Sequence, residues 1–158
     1  MYFDALSFLE DEREAWRPYE ALLALKSADL ELPIAGEDRW SGRDLLGHLV
    51  FWQEHALAVA RELAVGVTSA SRLRGDAEWE ARGDAINNEA LAAWRALPLE
   101  ELLARARTVA GELRGHLTVV PEARWLKDGK VQAFFAGETI DHYADHAADL
   151  AAILAAAR

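Results

Sequence analysis

The sequence predicts an all-α protein, from its composition and from the spacing of its apolar residues. Alanine, the residue with the highest helix propensity, occurs 32 times among the 158 residues. Val and Ile, which favour strands, are sparse, and the chain contains only four prolines. Five segments with helical spacing, joined by short to moderate connections, favour a four-helix bundle with crossover connections and a short extra helix.

The first predicted helix covers about residues 3–28. Its apolar residues recur at helical intervals, as in Leu6, Leu9 and Trp16. Pro18 is expected to kink this helix rather than end it. A connector with Pro33 and Gly36 follows.

The second predicted helix begins at a capping box. Ser41 and Asp44 have the required spacing, in which the hydroxyl accepts from an early backbone N–H and the carboxylate reaches back three residues. The helix is expected to run to about Val65, where Gly66 suits its C-terminal cap. The polar stretch 68–75 is predicted to be a flexible loop.

Three further helices are predicted in the second half of the chain. They cover about residues 84–96, with an earlier turn near Trp79, residues 99–116 and residues 134–156. Turn signals at 119–121 and 128–129 separate the last two helices. Neither an internal repeat nor a domain linker is evident, so the chain is predicted to be one domain covering residues 1–158.

Charge and cysteine content exclude several classes of function. The net charge of −10 repels phosphate backbones and anionic lipids, so neither a nucleic acid nor a membrane is an expected partner. No stretch reaches the about 18 apolar residues of a membrane span and no signal peptide is recognisable, which predicts a soluble, cytoplasmic protein. The chain has no cysteine, which excludes disulfides, thiolate metal sites and a cysteine nucleophile. Thiol chemistry would therefore need an external thiol.

Three histidines form the main candidate site. His142 and His146 are four residues apart on one helix, where two imidazoles can bind one metal ion, although such pairs also occur on solvated helix faces. His48 lies in an apolar stretch of the second helix, and a buried imidazole needs a partner. It is interpreted either as a third ligand facing the other two or as a core histidine bonded to a backbone carbonyl.

Two further side chains are candidates for a pocket beside the second helix. Trp52 follows His48 by four residues on the same face and is expected either in the core or in an aromatic wall. His55 lies about 10 Å along the helix axis from His48, which favours a pocket-lining or solvent-exposed position over a fourth ligand. His116 is interpreted as a favourable residue near a helix C-terminus.

Acidic residues near His142 and His146 are candidates for supporting roles. Glu138 shares a face with His142 and is interpreted as an orienting group or ligand, or as a first-turn acid stabilised by the helix N-terminus. Asp145 belongs to an acidic stripe with Asp141 and Asp149. The stripe is interpreted chiefly as solvated surface, from which a carboxylate could still orient a histidine ligand.

Two sequence blocks resemble the signature of the DinB-like superfamily. They are W-S-G-R-D-L-L-G-H-L at residues 40–49, followed by W-Q-E at 52–54, and H-Y-A-D-H at 142–146. The superfamily includes the YfiT-like bacillithiol transferases, the N-terminal domain of mycothiol-dependent maleylpyruvate isomerase and the ClbS/DfsB proteins. The resemblance extends over essentially the whole chain in length and order. It implies a four-helix bundle with a metal triad formed here by His48, His142 and His146.

The function expected from this resemblance is a metal-dependent thiol S-transferase that acts on small electrophiles. A ClbS-like hydrolase of a reactive small molecule is one alternative, because residues 79–88 are similar to that branch, and a non-catalytic metal- or ligand-binding stress protein is another. The expected cofactors are a divalent metal ion, zinc or nickel, and a low-molecular-weight thiol. A small molecule is the expected ligand, and apolar helix faces favour a homodimer.

Overall fold

The computed structural model describes residues 1–33 and 40–158, and no strand occurs in this part of the chain. Helices α1 to α9 cover, in order, Ala5–Trp16, Ser27–Leu30, Gly42–Val65, Ala70–Arg82, Asp84–Ala96, Leu99–Leu117, Gly129–Ala136, His142–Asp145 and Ala147–Ala156. Two 3₁₀ helices cover Arg17–Ala24 and Glu122–Arg124, and a π-helical segment, Gly137–Asp141, joins α7 to α8. The predicted all-α class is confirmed.

The N-terminal region is divided where the sequence predicts one kinked helix. Helix α1 gives way to the first 3₁₀ helix at Arg17, with Pro18 in its first turn, where a residue without an N–H is tolerated. The backbone becomes extended at Leu25, and α2 forms a separate short turn. Of the predicted connector, Gly36 lies outside the described residues.

Helix α3 begins at the predicted capping box. Ser41 Oγ accepts from Asp44 N at 3.2 Å, and Asp44 Oδ2 accepts from Ser41 N at 3.0 Å. The Arg95 guanidinium donates to the other Asp44 oxygen at 2.7 Å, which links the start of α3 to the end of α5. At the other end Gly66 is the C-cap, as predicted.

The loop predicted at 68–75 is wrong, because α4 begins at Ala70. Ser69 caps this helix by accepting from Arg72 N. The Glu62 carboxylate accepts from the hydroxyls of Ser69 and Ser71 at 2.6 and 2.7 Å. Of the polar residues that suggest a loop, Ser69 is therefore the helix cap and Ser71 bonds to Glu62 from the first turn of α4. Helix α4 has no buried residue, and Gly83, with φ of 50°, turns the chain from α4 into α5.

The C-terminal helical region starts earlier than predicted. Asp128 and Gly129 initiate α7, because Asp128 Oδ1 accepts from the backbone N–H groups of Lys130 and Val131. Helical structure then continues to Ala156, with a local change of backbone geometry at His146. The predicted start at residue 134 falls inside α7.

Helix α3 lies at the centre of the core. It packs most extensively against α6, and also against α4, α5, the π-helical segment and α9. The crossover bundle topology and the single domain stay predictions. No helix in the described ranges combines the length and apolar character that crossing a bilayer requires.

A buried polar network fixes the C-terminal helical region against this core. The Tyr143 hydroxyl donates to Glu12 Oε1 at 3.0 Å and accepts from Gln53 Nε2 at 2.9 Å. Glu12 also pairs with Arg114 at 2.6 Å, and the Tyr19 hydroxyl donates to the Tyr143 carbonyl. Since Tyr143 follows His142 directly, this network holds the backbone that carries the candidate site.

Leu49→Ala tests the packing of α3. Leu49 is fully buried next to His48, so its truncation is expected to lower the free energy of unfolding by about 2–5 kcal/mol in urea denaturation. Leu73→Ala is the matched control, because Leu73 on α4 is 66% exposed, and its expected cost is below about 0.5 kcal/mol. Equal effects of the two substitutions would contradict the placement of Leu49 in the core.

Candidate functional site

The structure brings His48, His142 and His146 together. One nitrogen from each ring lies within 4.8 Å of the others. His48 Nε2 and His142 Nε2 are 2.8 Å apart, so one imidazole donates its N–H to the other. The three ring centroids are separated by 4.7 to 5.0 Å. His48 therefore contacts histidines, as the ligand interpretation predicts.

The three imidazole rings are attached to backbone of three different conformations. His48 is fixed by α3, whose neighbouring residues Leu45, Leu46 and Leu49 are fully buried. His142 begins α8 immediately after the π-helical segment, and π-helical turns are often found at functional sites. His146 lies between α8 and α9 with φ of −94° and ψ of 9°. The two C-terminal histidines thus occupy locally distorted helix.

The burial of the site keeps two of the imidazoles neutral. Burial, with added repulsion from His142 and His146, lowers the pKa of His48 from 6.5 to about 3. Burial also lowers the pKa of His142 to about 4, with His146 adding to this effect and Asp145 opposing it. Neutral imidazole is the form that binds a metal ion.

His146 is oriented by an acidic partner and an aromatic ring. Its Nδ1 donates to Asp149 Oδ2 at 2.8 Å, which in the neutral ring leaves the Nε2 lone pair free. Trp40 stacks on the same imidazole, with ring centroids 5.4 Å apart and an interplanar angle of 23°. Trp40 also lies 4.8 Å from the His48 ring, so it covers two of the three histidines.

The histidine cluster fits one metal ion. Two nitrogen ligands about 2.1 Å from a zinc ion lie at most about 4.2 Å apart. The three nitrogens, which lie within 4.8 Å of one another, would therefore need to move by less than about 1 Å to bind the same ion. The donor set is three imidazoles, at least two of them neutral near pH 7. Such a set leaves further coordination positions for water or substrate.

A cleft of about 810 Å³ opens beside the three histidines. This volume is within the range of small-molecule sites. The residues that line the cleft come from the segment just before α3, from α3, α4 and α5, and from the C-terminal region: Trp40, His48, Trp52, His55, Gly75, Asp76, Trp79, Asp84, Asn87, Asn88, Gly137, Glu138, His142, Asp145 and His146. Helices α4 and α5 thus form a wall facing the histidines.

Four residues predicted from the sequence as pocket or supporting residues all line this cleft: Trp52, His55, Glu138 and Asp145. Neither His55 nor Glu138 belongs to the cluster of close nitrogen ligands. The interpretation of Glu138 as a first-turn acid is wrong, because the helix starts at Gly129. The group that orients His146 is Asp149 rather than Asp145.

Glu138 has the most perturbed carboxyl group in the cleft. Burial raises its pKa from 4.5 to about 8, and the nearby Asp76 charge adds to this effect. At pH 7 the Glu138 side chain is therefore mostly protonated. His55 has the opposite perturbation, since burial lowers its pKa. Its ring lies against Gly75, where an added Cβ would stand 2.5 Å from His55 Cε1.

Helix α5 is found where the sequence predicts a helix, at Asp84–Ala96, whereas the sequence does not predict the α4 side of the cleft. Asp76 and Trp79 belong to α4, and the first of them lies at the edge of the stretch predicted as a loop. Trp52 Nε1 donates to Asn87 Oδ1 at 3.0 Å, which joins α3 to α5 across the cleft. Asn87 and Asn88 belong to the stretch 79–88 that is similar to the ClbS-like branch. Because α4 is not predicted, the sequence does not indicate that these two residues line a cleft.

Comparison with models of protein families, with curated proteins and with solved structures gives no significant match for this chain.

The lowered pKa values predict that the metal-free protein loses stability on acidification. An unfolded histidine binds a proton near pH 6.5, whereas folded His48 and His142 do so only near 3 and 4. Their stabilising contribution is therefore complete above pH 6.5 and is lost as the pH falls towards 4. Urea denaturation with a chelator present, at pH values from 7 to 4.5, measures this decline.

A matched variant distinguishes the contribution of the histidines to this pH dependence from that of Glu138, which has the opposite sign. Its raised pKa means that acidification from pH 8 towards 4.5 stabilises the folded state. In His48→Gln/His142→Gln the decline between pH 6.5 and 4.5 should become much smaller, and His55, whose pKa is also lowered by burial, contributes to what remains. An unchanged decline in this variant would show that other groups cause it.

Proposed function

We propose that this protein is a divalent-metal-dependent enzyme that transfers an external low-molecular-weight thiol to a small electrophile. The observation that carries this proposal is the position of three clustered imidazoles in the wall of a cleft large enough for a small molecule. A purely structural metal site would be coordinatively closed and would need no cleft. Since the chain has no cysteine, the sulfur atom has to come from a second substrate.

His48, His142 and His146 are the residues proposed to hold the ion, with zinc or nickel as the expected metal. When bound, a divalent ion supplies positive charge that lowers the pKa of a thiol or a water molecule. Asp149 supports this arrangement by fixing the ring of His146. The resemblance to the DinB-like superfamily, carried by residues 40–49 and 142–146, agrees with this assignment.

Two cleft residues are suited to proton movement. The His55 imidazole, whose lowered pKa keeps it neutral, can accept the proton that a thiol loses when it attacks. Glu138 retains its proton near pH 7 and can donate a hydrogen bond or a proton to a leaving group. Their burial also favours exclusion of bulk water, which strengthens electrostatic interactions within the cleft.

Hydrolysis of a reactive small molecule is the second candidate function, and Glu138 is the observation that favours it. A carboxylic acid kept protonated by burial serves as general acid in some hydrolytic enzymes, and Glu138 has this property. The similarity of residues 79–88 to the ClbS-like branch adds support, because Asp84, Asn87 and Asn88 line the cleft. Both functions share the same triad. Cytoplasmic location and homodimer formation stay predictions.

Single alanine substitutions test whether the triad binds metal. His48→Ala, His142→Ala and His146→Ala should each lower bound zinc or nickel by at least tenfold, because removing one of three ligands leaves an incomplete site. Elemental analysis and metal titration of protein without a histidine tag measure this. His116→Ala is the control, since the His116 ring bonds to the Glu112 carbonyl on α6. Full occupancy in His142→Ala would overturn the site.

The thiol requirement is tested by following thiol consumption with a panel of electrophiles. Metal-loaded protein with bacillithiol, mycothiol or glutathione should exceed the rates of metal-stripped protein and of His146→Ala by at least tenfold. Equal rates in the three preparations would remove the metal from the reaction. Binding of metal without turnover of any electrophile would instead indicate a non-catalytic binding protein.

The same panel separates the two candidate reactions. Loss of an electrophile without thiol, in a manner that depends on the metal, would assign the protein to hydrolysis. In that case Glu138→Gln should lower the rate by about 10²–10⁴, the usual contribution of a general acid. For thiol transfer, products that contain the thiol are expected by mass spectrometry.

A further inference from the structure

The end of the cleft farthest from His48 along α3 is lined by aromatic rings rather than by the three clustered histidines. Trp52 and Trp79 meet there in a T-shaped pair with ring centroids 5.6 Å apart. The Trp52 ring is also 5.9 Å from the His55 ring, edge to face. Two indoles and an imidazole thus form an aromatic corner that faces the cleft.

Carboxyl groups complete this corner. Asp76 lies three residues before Trp79 on α4, so both side chains occupy one face of that helix. Its closest cation is Arg72, 3.8 Å away, and the Asp76 side chain is 60% exposed, so most of the carboxylate is free for another partner. Asp84 and Glu138 line the same cleft.

No lysine or arginine is among the described residues that line the cleft. Of the arginines on α4, Arg74 donates to Ser71 Oγ and Arg82 pairs with Glu89, while Arg72 lies 3.8 Å from Asp76 without lining the cleft. Four residues of the lining carry carboxyl groups, Asp76, Asp84, Glu138 and Asp145, and among them only Asp76 has an ion pair with a basic residue in the part of the chain that the structure describes. The whole chain, with a net charge of −10, is also negative, as is the lining of the cleft.

We infer that the Trp52, Trp79 and Asp76 corner binds an organic ammonium group, so that the small molecule taken into the cleft is a cation. Aromatic faces attract cations through the ring quadrupole, and quaternary ammonium groups are commonly held by aromatic side chains together with a carboxylate. Trp52 is pre-oriented for this role, because its indole N–H is already bonded to Asn87. An anionic molecule would instead meet the carboxylates of Asp76 and Asp84 in a cleft whose lining has no lysine or arginine, which is unfavourable.

This inference rests on the proposed function only in treating the ammonium compound as its electrophilic substrate. The positive group would occupy the corner next to α4, where Trp52 lies about 6 Å along α3 from His48, which leaves the electrophilic carbon near the three histidines. Binding at a distance from the reacting atoms is a usual way to position a substrate. Small cationic electrophiles should therefore react faster than neutral ones of equal intrinsic reactivity.

The binding test uses three compounds of the same shape that undergo no reaction. Choline is the cation, 3,3-dimethylbutan-1-ol is its neutral isostere, and 3,3-dimethylbutanoate is the anion. Isothermal titration calorimetry and tryptophan fluorescence should show choline binding at least about tenfold more tightly than the alcohol, with the anion weakest. Equal affinities, a preference for the anion, or no choline binding at millimolar concentration would overturn the inference.

Matched variants locate the binding site. Asp76→Asn and Trp79→Leu should each weaken choline binding about threefold to tenfold, with less effect on the alcohol. Glu80→Gln is the control, since it removes one negative charge from an exposed position of α4 outside the cleft lining. A preference for choline that is unchanged in Asp76→Asn/Trp79→Leu would assign it to the net charge and overturn the corner as its source.

A competition experiment distinguishes a site for an organic cation from a site for a metal ion. Mg²⁺ added at the same concentration as choline should not displace it, because the aromatic faces contribute nothing to binding a strongly hydrated ion. Displacement at equal concentration would make the corner a metal site. Because inert ligands require neither thiol nor turnover, failure of this test leaves the proposed reaction standing, and failure of the thiol assay leaves the cation site standing.

Discussion

The imidazole of His48 is attached to a helix that is buried on most of its surface, so its position depends on the packing of the whole core. Helix α3 packs against α2, α4, α5, α6, α9 and the π-helical segment. A charged imidazole in this position would be strongly destabilising, which is why the pKa of His48 falls to about 3. The neutral ring then requires hydrogen-bonding partners, and His142 provides one.

The C-terminal helical region contributes side chains both to the core and to the cleft. On one side, Tyr143 is bonded to Glu12 and Gln53 inside the core. On the other side, His142 and His146 face the cleft. A single segment of five residues therefore connects the rigid interior to the site, and the buried network limits how far the two imidazoles can move. Preorganisation of this kind is what a metal site or a catalytic site requires.

The sequence contains enough information to predict the centre of this site but not its outer wall. The capping box at Ser41 and the four-residue spacing of His142 and His146 are local patterns, and each is found where predicted. Helix α4 is different, because it buries no residue and so has no apolar periodicity to reveal it. The choice of Asp149 over Asp145 as the partner of His146 depends on the backbone at 146, which spacing on a regular helix cannot describe.

Gly75 sets the distance between α3 and α4. A methyl group at this position would overlap the His55 ring, so the hydrogen atom of glycine is what allows the two helices to come so close. Residue 75 thus functions as a spacer, and because it lines the cleft its size affects the width of the cleft between α3 and α4. Over evolution, or in protein engineering, exchange of this one residue would change the spacing of the two helices and the position of the His55 ring together, so the girth of the substrate and the placement of the proposed proton acceptor are coupled at this position.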